Sequence, residues 1–281
     1  IEDSEGNIVI CGTQGHSPNI RVAVAMRYDP VANQVLWFKN YPELNPEVLG
    51  IIEKTPGGNF VLYSFSDELF PGGPPLGSYY KARSEVWEID RSTGEVVPAL
   101  ATLFAGNPSI YFQDMIPHNG SLYCVGGWRN PDIDNSGRTM LAKLSATDGT
   151  PEWIQGTLPD TAVAFRFLNS HNILTDSGQL VVLGSGITDL NQPTQKNYVF
   201  LSKFTLDGAL LWMKSYEIAL AGEDIVALPD GYAIFGRVEG NSWCLLKTDM
   251  DGNLLVGKKL TIPVAAGNTF LYYRQNQLLR L

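Results

Sequence analysis

One phrase recurs five times along the chain and limits what it can fold into. It is clearest at Ser202–Tyr216, SKFTLDGALLWMKSY: an apolar run, a tight Asp-Gly turn, and a second apolar run that carries a tryptophan. Worn copies stand at Met26–Trp37, Val86–Val97, Ala142–Trp153 and Leu245–Leu260. Asp-Gly between two apolar runs predicts a β-hairpin, because the centre of the turn needs positive φ. A phrase repeated at intervals of roughly 45–60 residues predicts an array of supersecondary units.

Around each hairpin the turn signals predict a unit of four strands, a to d. The approximate units are 1–40, 41–104, 105–157, 158–217, 218–262 and 263–281. The first begins without strand a. The last offers Thr269–Arg274 as strand a and Gln277–Leu281 as strand b. Helical periodicity is nearly absent. Evenly spaced strands in four-strand repeats predict an all-β fold, a β-propeller of antiparallel blades with five complete or nearly complete units and part of a sixth, as a single domain over 1–281. The spare strands at the end predict a ring closed by a terminal strand, or a longer chain. The tryptophans Trp37, Trp153 and Trp212, one per unit, are expected to fill the space between neighbouring blades.

In such blades the a–b and c–d turns share one end and the b–c and d–a connections the other. The a–b and c–d turns are tight throughout. The b–c segments are long in three successive units, 66–80, 127–138 and 185–197, so insertions gather at one end, where repeat proteins often bind. That end carries the candidate ligand-binding residues Tyr79, Tyr80, Trp128 and Arg129, with aromatic faces suited to a sugar ring or a protein partner. Asp132-Ile133-Asp134-Asn135-Ser136-Gly137 resembles the start of a Ca²⁺ loop, with oxygens on alternate residues and a glycine for the turn, and makes Asp132 and Asp134 candidate ligands. Lys143 stands where the closing Glu of such a loop belongs, and an ordinary Asx turn is the alternative reading. No other cofactor is expected.

Catalytic patterns are missing. His16, His118 and His171 have no metal-ligand spacing, and there is no nucleophile elbow, P-loop or His-Glu-x-x-His. The three cysteines, Cys11, Cys124 and Cys244, sit in apolar runs and read as buried free thiols. The net charge of −9 argues against nucleic acid and anionic membrane surfaces as partners. No apolar run approaches the ~20 residues of a membrane span, and the opening at Ile1, with neither Met nor a signal peptide, leads to the expectation of a processed chain or a fragment.

The hairpin phrase, with Lys203, Asp207, Gly208, Trp212, Lys214 and Tyr216, and again Lys247, Asp249, Asp251, Gly252, Asn253, Lys258 and Lys259, resembles the repeats of large secreted β-propeller proteins of Bacteroidetes, many of them type IX secretion cargo. More distantly, Asp90, Thr93 and Gly94 within Glu88–Val97 resemble the tryptophan-docking repeat of quinoprotein propellers. The first resemblance implies a secreted or cell-surface bacterial protein. Together with the residues, it leads to the expectation of a non-enzymatic binding or structural module that presents a loop-rich face to a protein or glycan. The alternatives are a propeller enzyme, either a glycan-active hydrolase or a quinoprotein-like dehydrogenase, and an intracellular sensor propeller.

Overall fold

A computed structural model of the protein describes residues 1–17, 20–42, 48–70, 79–104, 109–129, 137–157, 165–188, 196–217, 221–238 and 242–260. The expected strands at Thr269–Arg274 and Gln277–Leu281 lie outside the described residues. Among the described residues every element is a strand and none is a helix. The first sheet holds β1 (Ile8–Ser17), β2 (Ile20–Asp29) and β3 (Gln34–Tyr41). The second holds β4 (Val48–Glu53), β5 (Phe60–Phe70), β6 (Tyr79–Ile89) and β7 (Val96–Phe104). The third is β8 (Ser109–His118), β9 (Ser121–Arg129), β10 (Gly137–Ser145) and β11 (Pro151–Thr157). The fourth is β12 (Phe165–Asp176), β13 (Gln179–Thr188), β14 (Lys196–Thr205) and β15 (Leu210–Tyr216). The fifth is β16 (Ala221–Leu228), β17 (Gly231–Val238), β18 (Ser242–Thr248) and β19 (Leu254–Leu260). Within each sheet successive strands run antiparallel in chain order, as the repeated hairpin predicts, and one parallel bridge, Gly137 opposite Phe167, joins β10 of the third to β12 of the fourth.

The strands reach further than the apolar pattern. β5 and β6 stay paired out to Phe70 opposite Tyr79, where the sequence suggested a loop over 66–80. β9 runs to Arg129, and β13 runs to Thr188 opposite Lys196. Apolar alternation ends where the core ends, but a backbone ladder needs only its own N–H and C=O groups and continues beyond it. Register even places Glu68 opposite Lys81 in the extension.

Contacts divide the chain into two compact units, residues 1–135 with 140–156, and 136–139 with 157–281. In the first unit, sheets pack face to face through alternating residues. Val9, Ala23, Ala25 and Trp37 meet Ile51, Phe60, Leu62 and Ile89 of the second sheet. The residues between these, Val61, Tyr63 and Val86, point the other way and join Phe112, Met115, Leu122 and Cys124 of the third. The second sheet is thus apolar on both faces, as a strand pattern buried on both sides requires. In the second unit Val181, Leu183, Val199 and Leu201 pack on Tyr232, Ile234, Cys244 and Leu246. Fully burying one such side chain is worth about 1.5–3 kcal/mol.

The end of the hairpin phrase clamps the first sheet to the second and the fourth to the fifth. Tyr41 Oη donates to the Gly94 carbonyl at 2.9 Å, and Trp37 Nε1 donates to the Arg91 carbonyl at 2.9 Å. In the second unit Tyr216 Oη donates to the Gly252 carbonyl at 2.6 Å. Gly94 and Gly252 have φ of +73° and +74°, and a Cβ on them would come within 2.8 and 2.7 Å of Trp37 and Trp212. The turn glycine therefore serves twice, for its φ and as the floor on which the tryptophan lies. This bears out the expectation for Trp37 and Trp212. Trp153 instead meets Tyr123 of its own sheet edge-on, with ring centroids 6.3 Å apart.

Two irregularities repeat. Strand a of each four-stranded sheet carries a β-bulge at one place, with Leu49, Gln113, His171 and Glu223 as the extra residues. The strand b residue on its flank is always small: Ser64, Gly126, Gly184 and Gly236. Strand d begins with a second bulge, which leaves Leu36, Leu211 and Leu255 unpaired and 41%, 46% and 54% exposed.

Candidate functional site

The binding residues expected from the sequence lie on strands, which corrects their assignment to loops. Tyr79 and Tyr80 open β6 opposite Phe70 and Leu69. Trp128 and Arg129 close β9 opposite Ile110 and Ser109. Both pairs sit at the b–c ends of adjacent sheets. Ser84 Oγ fixes those ends side by side, donating to the Ile110 carbonyl at 3.2 Å and accepting from the Phe112 N–H at 3.0 Å. Asp132 and Asp134 lie outside the described residues. Lys143, at the offset of the missing Glu, pairs with Glu152 at 2.7 Å. Among the described residues no three His, Cys, Asp or Glu side chains gather to hold a metal ion.

The opposite end of the sheets is occupied by ion pairs. The residue two places before the c–d turn is charged in every sheet and, in four of them, finds its partner on the a–b turn. Lys203 Nζ donates to Asp176 at 3.0 Å, and Lys247 to Asp230 at 2.8 Å. In the second sheet the signs are exchanged: Glu88 accepts from Lys54 at 2.8 Å and from Asn59 at 2.7 Å. The third sheet offers His118 and Asn119 on that turn, and Lys143 turns to Glu152 instead.

The first sheet makes the largest network. Asp3, with no exposed side-chain surface, accepts the N–H groups of Glu5 and Asn7 at 2.9 Å and the Arg27 Nε at 2.8 Å. Arg91, from the c–d turn of the second sheet, reaches Asp3 at 3.2 Å and Glu5 at 3.1 Å, and pairs with Glu53. Both guanidiniums stand over the Phe60 ring, 5.9 and 5.3 Å from its centroid. Burial works to raise the Asp3 carboxyl, but the two N–H donors and Arg27 hold it below the usual carboxylate range. Sequence reading passed over this network. Its signal was Arg27 itself, in step with the buried Ala23 and Ala25 along one strand face.

A smaller cluster in the second unit looks like a reactive triad. Tyr232 Oη donates to Asp176 at 2.6 Å, and Lys203 Nζ donates to both groups at 3.0 Å. Burial and the adjacent Asp176 push the Tyr232 phenol well up, and Tyr232 has no exposed surface. A phenol held protonated, with no access to a substrate, is a brace between two sheets and not a nucleophile. The thiols are equally inert: burial pushes Cys11 up to about 12 and raises Cys124 and Cys244. A shallow cleft of about 250 Å³ on the outer face of the first sheet is lined by Ile10, Val24, Met26 and Phe38 among others, with no carboxylate, imidazole or amine.

No family model matches the chain, and no curated protein matches it. Among solved structures, a mutant of the Synechocystis apocarotenoid oxygenase is similar at 11% identity with a TM-score of 0.46. The match covers 92% of this chain, which spans 62% of that protein.

Proposed function

We propose that the five sheets are blades of a β-propeller and that the protein is a non-enzymatic binding or structural module, secreted or displayed at a bacterial cell surface. Its partner, a protein or a glycan, meets the end of the sheets where the b–c hairpins project. The observation that carries this reading is the contrast between the two ends. At the a–b/c–d end the buried charges are spent on one another. At the b–c end, hairpins of adjacent sheets run past the core, and the strand ends there hold Tyr79, Tyr80, Trp128 and Arg129. Aromatic and arginine side chains on a rigid ladder are well suited to binding.

The test is native electrophoresis through gels containing laminarin, xylan, pullulan or mannan. Retardation in one of them, abolished by Trp128→Ala and kept by Asp230→Ala at the far end, is the expected result. No retardation in any gel leaves the protein partner, to be sought by crosslinking at the same end. Equal loss in both variants overturns the placement of the site.

A further inference from the structure

We infer that Asn119 is a modification site: in the folded protein its side chain closes on the backbone nitrogen of Gly120, loses ammonia and becomes a carboxylate, with His118 assisting. The inference is independent of the proposed b–c binding end, since it concerns the a–b turn of the third sheet.

Three observations on that turn carry it. First, Asn119-Gly120 is the one Asn-Gly pair of the chain. These two residues are the whole connection between β8 and β9, with His118 opposite Ser121 and φ of +49° and +76°. That is the backbone of a type I′ turn. A Cβ on the following residue hinders attack by its nitrogen. Gly120 has none, and the space where one would stand is empty to 4 Å. Both residues are exposed, so water reaches them.

Second, the attacking nitrogen is uncommitted. The Asp-Gly turns could cyclise in the same way, but three of them tie up the glycine N–H. Gly149 donates to the Ser145 carbonyl at 2.8 Å, Gly208 to Thr205 at 3.0 Å and Gly252 to Asp249 at 3.2 Å. Among the described residues the Gly120 N–H has no acceptor. A two-residue turn leaves it so, because the flanking pair, His118 and Ser121, closes the ladder. Gly120 is held all the same, since its carbonyl accepts the Ala146 N–H at 3.2 Å.

Third, the leaving amine has a partner. Asn119 Nδ2 lies 3.1 Å from His118 Nε2. The imidazole itself stands against Tyr123, ring centroids 6.3 Å apart. A neutral Nε2 accepts from the amide and keeps it in place, and a protonated one hands its proton to the departing amine.

The chemistry balances with water alone. The Gly120 nitrogen gives its proton to solvent and attacks the Asn119 Cγ. The N–Cγ bond forms, the Cγ–Nδ2 bond breaks, and the amine takes a proton and leaves as ammonia. Water then adds to one of the two carbonyl carbons of the ring and reopens it, giving aspartate or isoaspartate. Nucleophile and electrophile belong to neighbouring residues, so the first step is intramolecular. The product places an acid on this a–b turn, as Asp176 and Asp230 stand on those of the fourth and fifth sheets.

Mass spectrometry of peptides from the folded protein, kept at neutral pH for several weeks, reads the conversion as a gain of one mass unit, and isoaspartyl methyltransferase labels the isomer. Conversion at Asn119 ahead of every other asparagine is the expected result. It is expected to be at least about tenfold slower in Gly120→Ala. In His118→Phe it is expected to be several-fold slower in the folded protein and unchanged in the urea-unfolded chain. Asn119 still intact in the folded protein when the unfolded chain is half converted overturns the inference, because the fold then protects the amide. Equal folded-state rates with and without His118 overturn the part assigned to the imidazole.

Discussion

At the scale of single residues, the turn glycines separate two costs that usually come together. Gly94, Gly252 and Gly120 all have positive φ, but only the first two lie under a tryptophan, while a Cβ on Gly120 meets nothing within 4 Å. Gly120→Ala is expected to cost about 1 kcal/mol, the backbone penalty alone. Gly94→Ala and Gly252→Ala are expected to cost about 2–4 kcal/mol, because the overpacked tryptophan adds to it. Urea unfolding of the three variants checks this, and equal costs would remove the docking role of the glycine. Acid acts on a different set. Asp3, Glu53 and Asp176 are all held low, burial working to raise each and hydrogen bonds from N–H, guanidinium, hydroxyl or ammonium donors outdoing it. A depressed folded-state value stabilises the fold fully above the ordinary carboxylate value of about 4, and this is lost as pH falls through the lowered values. The urea midpoint is expected to drop between pH 5 and pH 3, and to drop less in Asp3→Asn, which is itself destabilised by about 3 kcal/mol because two buried guanidiniums lose their shared carboxylate. Unchanged pH slopes would show that Asp3 is not part of the acid response.

At the scale of elements, the clamp at the end of strand d invites the same dissection. Tyr41→Phe removes one hydrogen bond to the Gly94 carbonyl and is expected to cost about 1 kcal/mol. Trp37→Ala opens the packing between the first two sheets and is expected to cost about 3–5 kcal/mol. Thermal unfolding of both, with the double variant, measures their coupling; strict additivity would mean that the two side chains do not act as one clamp. These elements were legible in the sequence because their causes are local. Asp-Gly fixes the c–d turn, and period-two apolar runs fix strands b and c. The strand a bulges were not legible, since an extra Leu49 or Gln113 looks like any other strand residue until its partner is known. The projecting hairpins were not legible for a related reason. Ser66–Phe70 has no apolar alternation, and only pairing with Tyr79–Arg83 makes it a strand. So Tyr79, Tyr80, Trp128 and Arg129, expected in loops, lie on strands.

At the scale of the whole molecule, composition limits the partners. A net charge of −9 with both signs tied up at the turn end leaves no broad basic field. The protein is expected to pass through a heparin column at about 0.15 M salt, where a phosphate-binding surface would still be retained; retention would overturn the exclusion of polyanions. The exchange of signs in the second sheet reaches further. Lys54 faces Glu88 there, whereas Asp176 faces Lys203 and Asp230 faces Lys247 in the fourth and fifth. Repeats built on one plan look interchangeable, like links of a chain. They are not interchangeable strand by strand: a third strand moved alone from the second repeat to the fourth would bring Glu88 against Asp176. Shuffling among the copies can therefore succeed only in blocks that keep the first turn and the third strand together, and that block, more than the hairpin that catches the eye, is the smallest piece such a protein can inherit, lose or duplicate.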